Sequence, residues 1–338
     1  MRGMEIGSSN CAMAGSFKSQ PMKNIMFNIL RTSFVLFTLT LFASAASKED
    51  ISREVEATSG GKLVVEVDFG SIDVAAGSEN KVTLEAHRKI DFGDESSEKE
   101  YLANAPITLS REGDVVTIRS RGKRADHWNV GHQEMDAQYI VRVPKKFAAA
   151  LQTDGGAISV KEIAGEVKAH TSGGAIELDD CHGTIDIETS GGHIKVADAK
   201  GSLKANTSGG GIEVRNFSGD TDVRTSGGGL ILEKISGKLA GKTSGGGIRA
   251  AIPGALAGDV KLETNAGNID LAVPASAAFT IDAKTSVGEV VSRLPIQSTD
   301  VDREHLRGTL NGGGKSVHLT TSAGSITIEP APSELARQ

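Results

Sequence analysis

Three groups of side chains in this 338-residue chain could do chemistry. Asp179-Asp180-Cys181-His182-Gly183 places two carboxylates, a thiol and an imidazole in a row. Paired carboxylates can cleave a glycosidic bond when they flank it from two sides. The stretch Arg119 to Asp136 carries Arg124, His127, Trp128 and His132, with the only tryptophan of the chain. Cation, aromatic ring and imidazole on one loop form a candidate binding loop. Asp126 and Asp136 could join its histidines around a metal, but the spacing matches no metal signature. The third group is Glu162, Asp180 and Asp198, spaced 18 residues apart, with Asp179 beside the second. It is a candidate calcium edge, because calcium takes several carboxylate oxygens in irregular geometry. Solvated carboxylates that splay apart, helped by Lys161 and Lys200, are the plainer reading.

The 18-residue spacing belongs to the whole middle of the chain. TDGGAI, TSGGAI, TSGGHI, TSGGGI, TSGGGL and TSGGGI begin at Thr153, Thr171, Thr189, Thr207, Thr225 and Thr243. A constant period means one small unit stacked on itself, each copy resting on its neighbours. Apolar and polar residues alternate at a spacing of two, as in Ile185-Asp186-Ile187, so the unit is built of strands. Two short strands and two tight turns per repeat predict an all-β solenoid.

With the repeat threonine as position one, Ile or Leu fills position six and mostly Val or Leu fills position eight. Position eleven (Ile163, Cys181, Ala199, Phe217, Ile235) and position fifteen (Val167, Ile185, Leu203, Thr221, Leu239) are further inward columns. The threonine column is expected to turn inward too, with stacked hydroxyls bonding along it. Position four is glycine in every copy and is read as a left-handed turn residue. It is no phosphate cradle, since no helix follows it.

Those columns decide how the chemical groups are read. Cys181 is a small buried hydrophobe rather than a nucleophile. Asp179 and Asp180 lie at positions nine and ten of an ordinary repeat, so their likeness to the aspartate and histidine motifs of pectin hydrolases is superficial. Outward columns alternate in sign: Lys168, Asp186, Lys204, Asp222 at position sixteen, and Glu177, Lys195, Glu213 at position seven. Opposite charges on adjacent strands contribute about 0.2 to 1 kcal/mol per pair and help fix the register. A face made for a charged polymer would carry one sign.

At the amino end, Met1 to Pro21 is polar and aperiodic, and Met22 reads as the true start of a signal peptide. Lys23 and Arg31 precede a short apolar core, Phe34 to Phe42, and Ala43-Ser44-Ala45 fits a cleavage site. The core is short for a span of about 20 residues, and an uncleaved anchor is the alternative. Cleavage after Ala45 leaves 33 basic and 42 acidic residues. That balance disfavours nucleic acid or an anionic membrane as partner. It also removes Cys11, leaving Cys181 without a disulfide partner.

The expected organisation is a signal peptide over 1–45, a divergent β cap over 46–150, solenoid repeats over 151–329 and a polar tail over 330–338. The cap echoes the repeat at Thr58 to Leu63 and at Phe69 to Val74, with a short helix around Ser97 to Ala103. It would cover the open strand edges of the stack. Beyond Ile248 the threonines fall at 264, 285 and 321, so the late coils are expected to carry longer loops, one around Gln297 to His305.

The Gly70–Val74 strand, the Val143-Pro144-Lys145-Lys146-Phe147 segment leading into T-x-G-G-x-I repeats, and the closing Thr321 to Ile326 strand together resemble a bacterial family of uncharacterised β-strand-repeat proteins regarded as candidate adhesins. The likeness covers nearly all of the chain after Ala45. The leader, the repeats and the absence of a convergent polar site lead to the expectation of a non-enzymatic exported binding or scaffold protein, adhesin-like as the resemblance implies, periplasmic, at the outer surface or secreted, without cofactor, its partner an envelope protein or a glycan. A polysaccharide-acting β-helix enzyme, lyase or hydrolase, is the alternative.

Overall fold

In the computed structural model, residues 46–122 and 134–331 are described. The leader, the Arg124 to His132 part of the candidate loop and nearly all of the tail lie outside them. The described residues are all-β with one short helix, Glu95–Asn104, within one compact unit. No helix among them is long and apolar enough to cross a membrane.

The central coils stack in parallel with a register of 18. Ile176 lies between Ile158 and Ile194, and Ile194 pairs in turn with Ile212. Positions six to nine form one run of strands, such as Ile176–Asp179. Positions fifteen to one form the opposite run, such as Val167–Thr171. In two coils the chain continues through both faces as a single bent strand, Ile194–Thr207 and Ile212–Thr225. The bend has a local cause. Position ten is left-handed in five successive coils, with φ of 58° at Glu162, 47° at Asp180, 51° at Asp198, 53° at Asn216 and 55° at Lys234. Asp and Asn tolerate this region better than most residues, which accounts for most of the polar column there.

The inward columns are closed. Ile163, Cys181, Ala199, Phe217 and Ile235 are all buried, as are Val167, Ile185, Leu203, Thr221 and Leu239. Every repeat threonine from Thr153 to Thr243 is buried as well. Their hydroxyls do not bond to one another, however. Thr189 Oγ1 donates to Gly174 O of the preceding coil at 2.8 Å and accepts from Gly192 N of its own coil at 3.2 Å. The same pair recurs at Thr171, Thr207, Thr225 and Thr243. A backbone carbonyl is a fixed acceptor at this corner, whereas a neighbouring hydroxyl would have to rotate to serve.

The position-four glycines need a correction. In the six central copies they lie outside the left-handed region; only Gly267, Gly288 and Gly324 in the divergent copies enter it. Close approach is the constraint, since a Cβ on Gly192 would sit 2.0 Å from Gly174 O. The left-handed glycines of the central coils are at position thirteen. Gly183, Gly201, Gly219 and Gly237 have φ between 130° and 149°.

Both ends of the stack are interleaved. At the amino end, Lys62–Val67 lies between Ala148–Thr153 and Val115–Ser120, and Ser71–Ala76 lies between Ile158–Lys161 and Glu134–Val143. Lys81–Asp91 and Ser47–Glu56 then extend that face antiparallel. At the carboxyl end, Lys315–Ala323 inserts between Val260–Ala266 and Phe279–Val287. Ile326–Pro330 likewise inserts between Ile269–Val273 and Val290–Ser292. The expected long loop is instead an antiparallel hairpin, Gln297–Val301 with His305–Leu310, laid against Phe279–Val287.

Candidate functional site

The face made by positions five, seven and nine carries a groove of about 880 Å³. Its floor arises from the side-chain sizes at position five, which runs Ala157, Ala175, His193, Gly211, Gly229, Gly247, Asn268. Three glycines in successive coils leave bare backbone between an imidazole and a carboxamide. No left-handed conformation requires them, though a Cβ would sit tightly against the neighbouring coil. A Cβ would meet its nearest carbonyl at 3.1 Å on Gly211 and Gly229 and at 3.2 Å on Gly247, and none is left-handed. Alanine, histidine and asparagine occupy the same position in other coils.

Position seven forms one wall: Lys195, Glu213, Ile231, Arg249 and Asp270. Glu177, Lys195 and Glu213 stand in register. His193 Nε2 lies 3.6 Å from Glu177, and Arg215 at position nine bonds both Glu213 and Glu233. On the opposite run the position-sixteen alternation holds in register, with Lys204 3.7 Å from Asp186. Some carboxylates find their cation within the strand instead, as Asp222 does with Arg224 at 2.9 Å. The wall therefore carries both signs, Lys195 and Glu213 on one side of Ile231 and Arg249 and Asp270 on the other, which suits a neutral polar ligand or one of mixed charge better than a polyanion.

A second, shallower groove of about 690 Å³ follows the position-thirteen glycines, with Lys146, His182 and Lys200 beside it. Asp180 lies 3.3 Å from His182 Nε2 and 3.6 Å from Lys145 Nζ. Asp198 accepts from the amide of Asn216. Glu162, Asp179, Asp180 and Asp198 are thus spread along the bend, and the described residues contain no cluster of three or more His, Cys, Asp or Glu able to hold a metal. Cys181 is buried, and its Sγ donates towards Asp179 O at 3.4 Å. Burial pushes its thiol up to about 11, which leaves no thiolate at neutral pH. Arg124, His127, Trp128 and His132 lie outside the described residues.

Two features were not singled out from the sequence. One is the position-five glycine run, whose signal was the change from alanine to glycine along a column that tolerates larger residues. The other is a polar knot in the amino-terminal cap. Buried Arg88 bonds Glu49, Ala105 O at 2.6 Å and Ser120 Oγ at 3.1 Å. Buried Glu98 accepts from Ser47 and Phe92. Glu98 sits on a polar helix without an apolar period, whereas Arg88 continues the inward alternation of Val82, Leu84 and Ala86, which was its one signal in the sequence.

A family model described as Toastrack DUF4097 matches residues 61–329. Among solved structures, a candidate cell adhesion protein from Clostridium sporogenes ATCC 15579 is 13% identical, with 83% of this chain and 100% of that chain covered at a TM-score of 0.23. A candidate adhesin from Bacteroides fragilis NCTC 9343 is 12% identical, covering 84% and 98% at 0.35. A candidate lipid-binding protein from Parabacteroides distasonis ATCC 8503 is 11% identical, covering 84% and 97% at 0.28. No curated protein matches the chain.

Proposed function

The chain belongs to the Toastrack family, DUF4097, and from that premise we propose that it is an exported, non-enzymatic binding or scaffold protein of adhesin-like character, its ligand-facing surface being the glycine-floored groove. The chain after the leader reads as a β-solenoid of about 18-residue coils closed by an irregular β cap. Its partner is an envelope protein or a glycan.

The observation that carries this reading is the position-five column. Three glycines that no left-handed conformation demands, at a position where other coils carry alanine, histidine and asparagine, open a trough between His193 and Asn268 on a surface built by parallel pairing. Mixed-sign walls support a polar, uncharged or zwitterionic ligand, and no nucleic acid. The rival, a polysaccharide-cleaving enzyme, draws only on Asp179, Asp180 and His182, and a salt-bridged Asp180 beside Lys145 is ill placed to share a glycosidic bond with a second carboxylate.

Gly229→His tests the reading, because His193 already stands at the equivalent position one coil beyond Gly211. A glycan array and an envelope pull-down are run with the wild type and the variant. Retention by the wild type, reduced at least tenfold in a variant with unchanged melting temperature, is expected. Equal retention would move the ligand site off this groove, and polysaccharide turnover lost on Asp180→Asn would replace binding by catalysis.

A further inference from the structure

Glu98 and Arg88 are the only charged residues among the buried side chains of the described chain. Arg88 is matched, by Glu49. Glu98 is not, since among the described residues no cation forms a salt bridge with it. Its Oε2 accepts from Ser47 N at 3.0 Å and Ser47 Oγ at 2.6 Å, and its Oε1 accepts from Phe92 N at 3.0 Å. These hydrogen bonds hold its carboxyl below the ordinary glutamate value, so it is ionised. A buried, ionised carboxylate without a counter-charge is costly.

The charged groups around it do not supply the charge. On the strand Ser47–Glu56, Glu49 is taken by Arg88, and Lys48 is on the exposed side. On Lys81–Asp91, Arg88 is committed as above, Lys89 pairs with Glu134, and Asp91 accepts from Gly93 N. On the helix, Lys99 pairs with Glu95, and Asp94 adds a second negative charge.

What does lie next to Glu98 is the expected cleavage point. The leader is expected to end at Ala45, and Ser47, two residues further, already donates both its groups to Glu98. The α-nitrogen of Ala46 is within one residue's reach, about 3.8 Å between successive Cα atoms. We propose that Glu98 is the receptor for the processed amino terminus: the α-ammonium of Ala46, created when the leader is removed, pairs with the buried carboxylate and locks the first strand onto the helix. Before processing the same position is an uncharged peptide N–H, so the strand is paired in both forms but the charge pair exists only in the processed protein. This proposal rests on the export reading above for its cleavage step.

The sign of its pH dependence follows. An α-ammonium paired with Glu98 has its folded pKa raised above the ordinary value of about 7.7 to 8.0. The stability it contributes is complete below that value and is lost as pH rises through the folded one.

The experiment compares residues 46–338 with a free Ala46 amine and with that amine acetylated, in wild type and in Glu98→Gln. The free-amine form should melt several degrees higher at pH 6.5, the gap should close in strongly alkaline buffer, and Glu98→Gln should abolish it. No gap, or the same gap in both backgrounds, overturns the proposal. If Glu98→Gln does not fold, titration of the Ala46 amine by NMR decides: a raised pKa supports the pairing and an ordinary one overturns it. Mass measurement of the protein from its native envelope separates the two layers. A start at Ala46 supports the processing step, and another start overturns it. An unprocessed chain overturns this proposal while leaving export to an uncleaved anchor, whatever the melting data show.

Discussion

The central coils and the two ends of the stack use the same strands in opposite ways. Between Thr153 and Ala251 the neighbour in space is the next coil in sequence, 18 residues on. At the ends it is not. Lys315–Ala323 enters one coil in from the end, pushing the earlier Phe279–Val287 outward, and Lys62–Val67 is enclosed in the same way at the other end. A terminal coil added in simple order would leave a fraying chain end and an open edge together. Interleaving separates the two hazards. The last coil is held on both sides, and the coil displaced to the outside is tied into the chain at both of its own ends. The stack thus combines a repeat that could be lengthened or shortened with ends that cannot.

The largest expected effect breaks this contrast directly. Deleting one period from the middle, Thr207 to Arg224, brings Ile194 into register with Leu230 and Leu203 with Leu239, and sets no like charges opposite at positions seven, nine or sixteen. The shortened protein should still unfold in one transition, a few degrees lower. Truncation after Gly314 removes a similar length but takes the buried Val317, Leu319, Ile326 and Ile328 from between two coils. At roughly 1.5 to 3 kcal/mol for each such side chain, the loss is on the order of 10 kcal/mol and should unfold the segment beyond Ala272. Calorimetry and hydrogen exchange on both variants check this. Equal tolerance would mean that interleaving does not hold the end.

A smaller effect separates the two kinds of glycine within the central coils. Gly219 has φ of 137°, and a Cβ there would lie 1.8 Å from Gly201 O. Gly219→Ala should cost about 3 kcal/mol, from a backbone region closed to alanine and from a contact that cannot relax without opening the coils. Gly211→Ala meets a backbone carbonyl at 3.1 Å without entering a left-handed conformation, so the neighbouring coil has to give by only a few tenths of an ångström, and the cost should be about 1 kcal/mol, well below that of Gly219→Ala. Chemical denaturation with a constant m-value would measure both. If the two variants were equal, the position-five glycines would be structural and the groove a by-product.

Much of the middle was legible because its columns repeat. Inward positions such as Ile185 and Phe217, the buried thiol of Cys181 and the burial of the threonines all follow from a period of 18 and an alternation of two. The cause of the polar column at position ten was not, because a left-handed residue and a solvent-facing carboxylate leave the same trace in the sequence. Position thirteen was visible as Gly165, Gly183, Gly201, Gly219 and Gly237, yet the more regular position four drew the turn assignment. The order of the end coils could not be read. Threonine intervals of 21, 21 and 36 mark irregular coils, but the exchange of Phe279–Val287 and Lys315–Ala323 depends on long-range pairing, which no local pattern encodes. Glu98 was hidden for a related reason. It lies in a helix whose polar sequence gives no inward face, and its burial comes from Ser47 and Phe92, which are brought to it from elsewhere.

The smallest effect pairs two buried threonines whose hydroxyls differ in use. Thr207 Oγ1 donates to Gly192 O at 2.8 Å and accepts from Gly210 N at 3.3 Å, so Thr207→Val leaves a carbonyl and an amide without that partner at a coil junction. The expected cost is about 1 to 3 kcal/mol, with ligand retention unchanged, since the site is inside the corner. Thr221 stands at position fifteen between Leu203 and Leu239 in register. It is buried, and its Oγ1 has no partner among the described residues. Valine has nearly the same shape and removes the unsatisfied hydroxyl, so Thr221→Val should stabilise by about 1 kcal/mol. The double variant should be close to the sum, because the two hydroxyls share no hydrogen-bond partner. Opposite signs in urea titrations of the single variants would show that threonine is retained at position one for its bonds to the neighbouring coil. A loss at Thr221 equal to that at Thr207 would instead require a partner for the Thr221 hydroxyl.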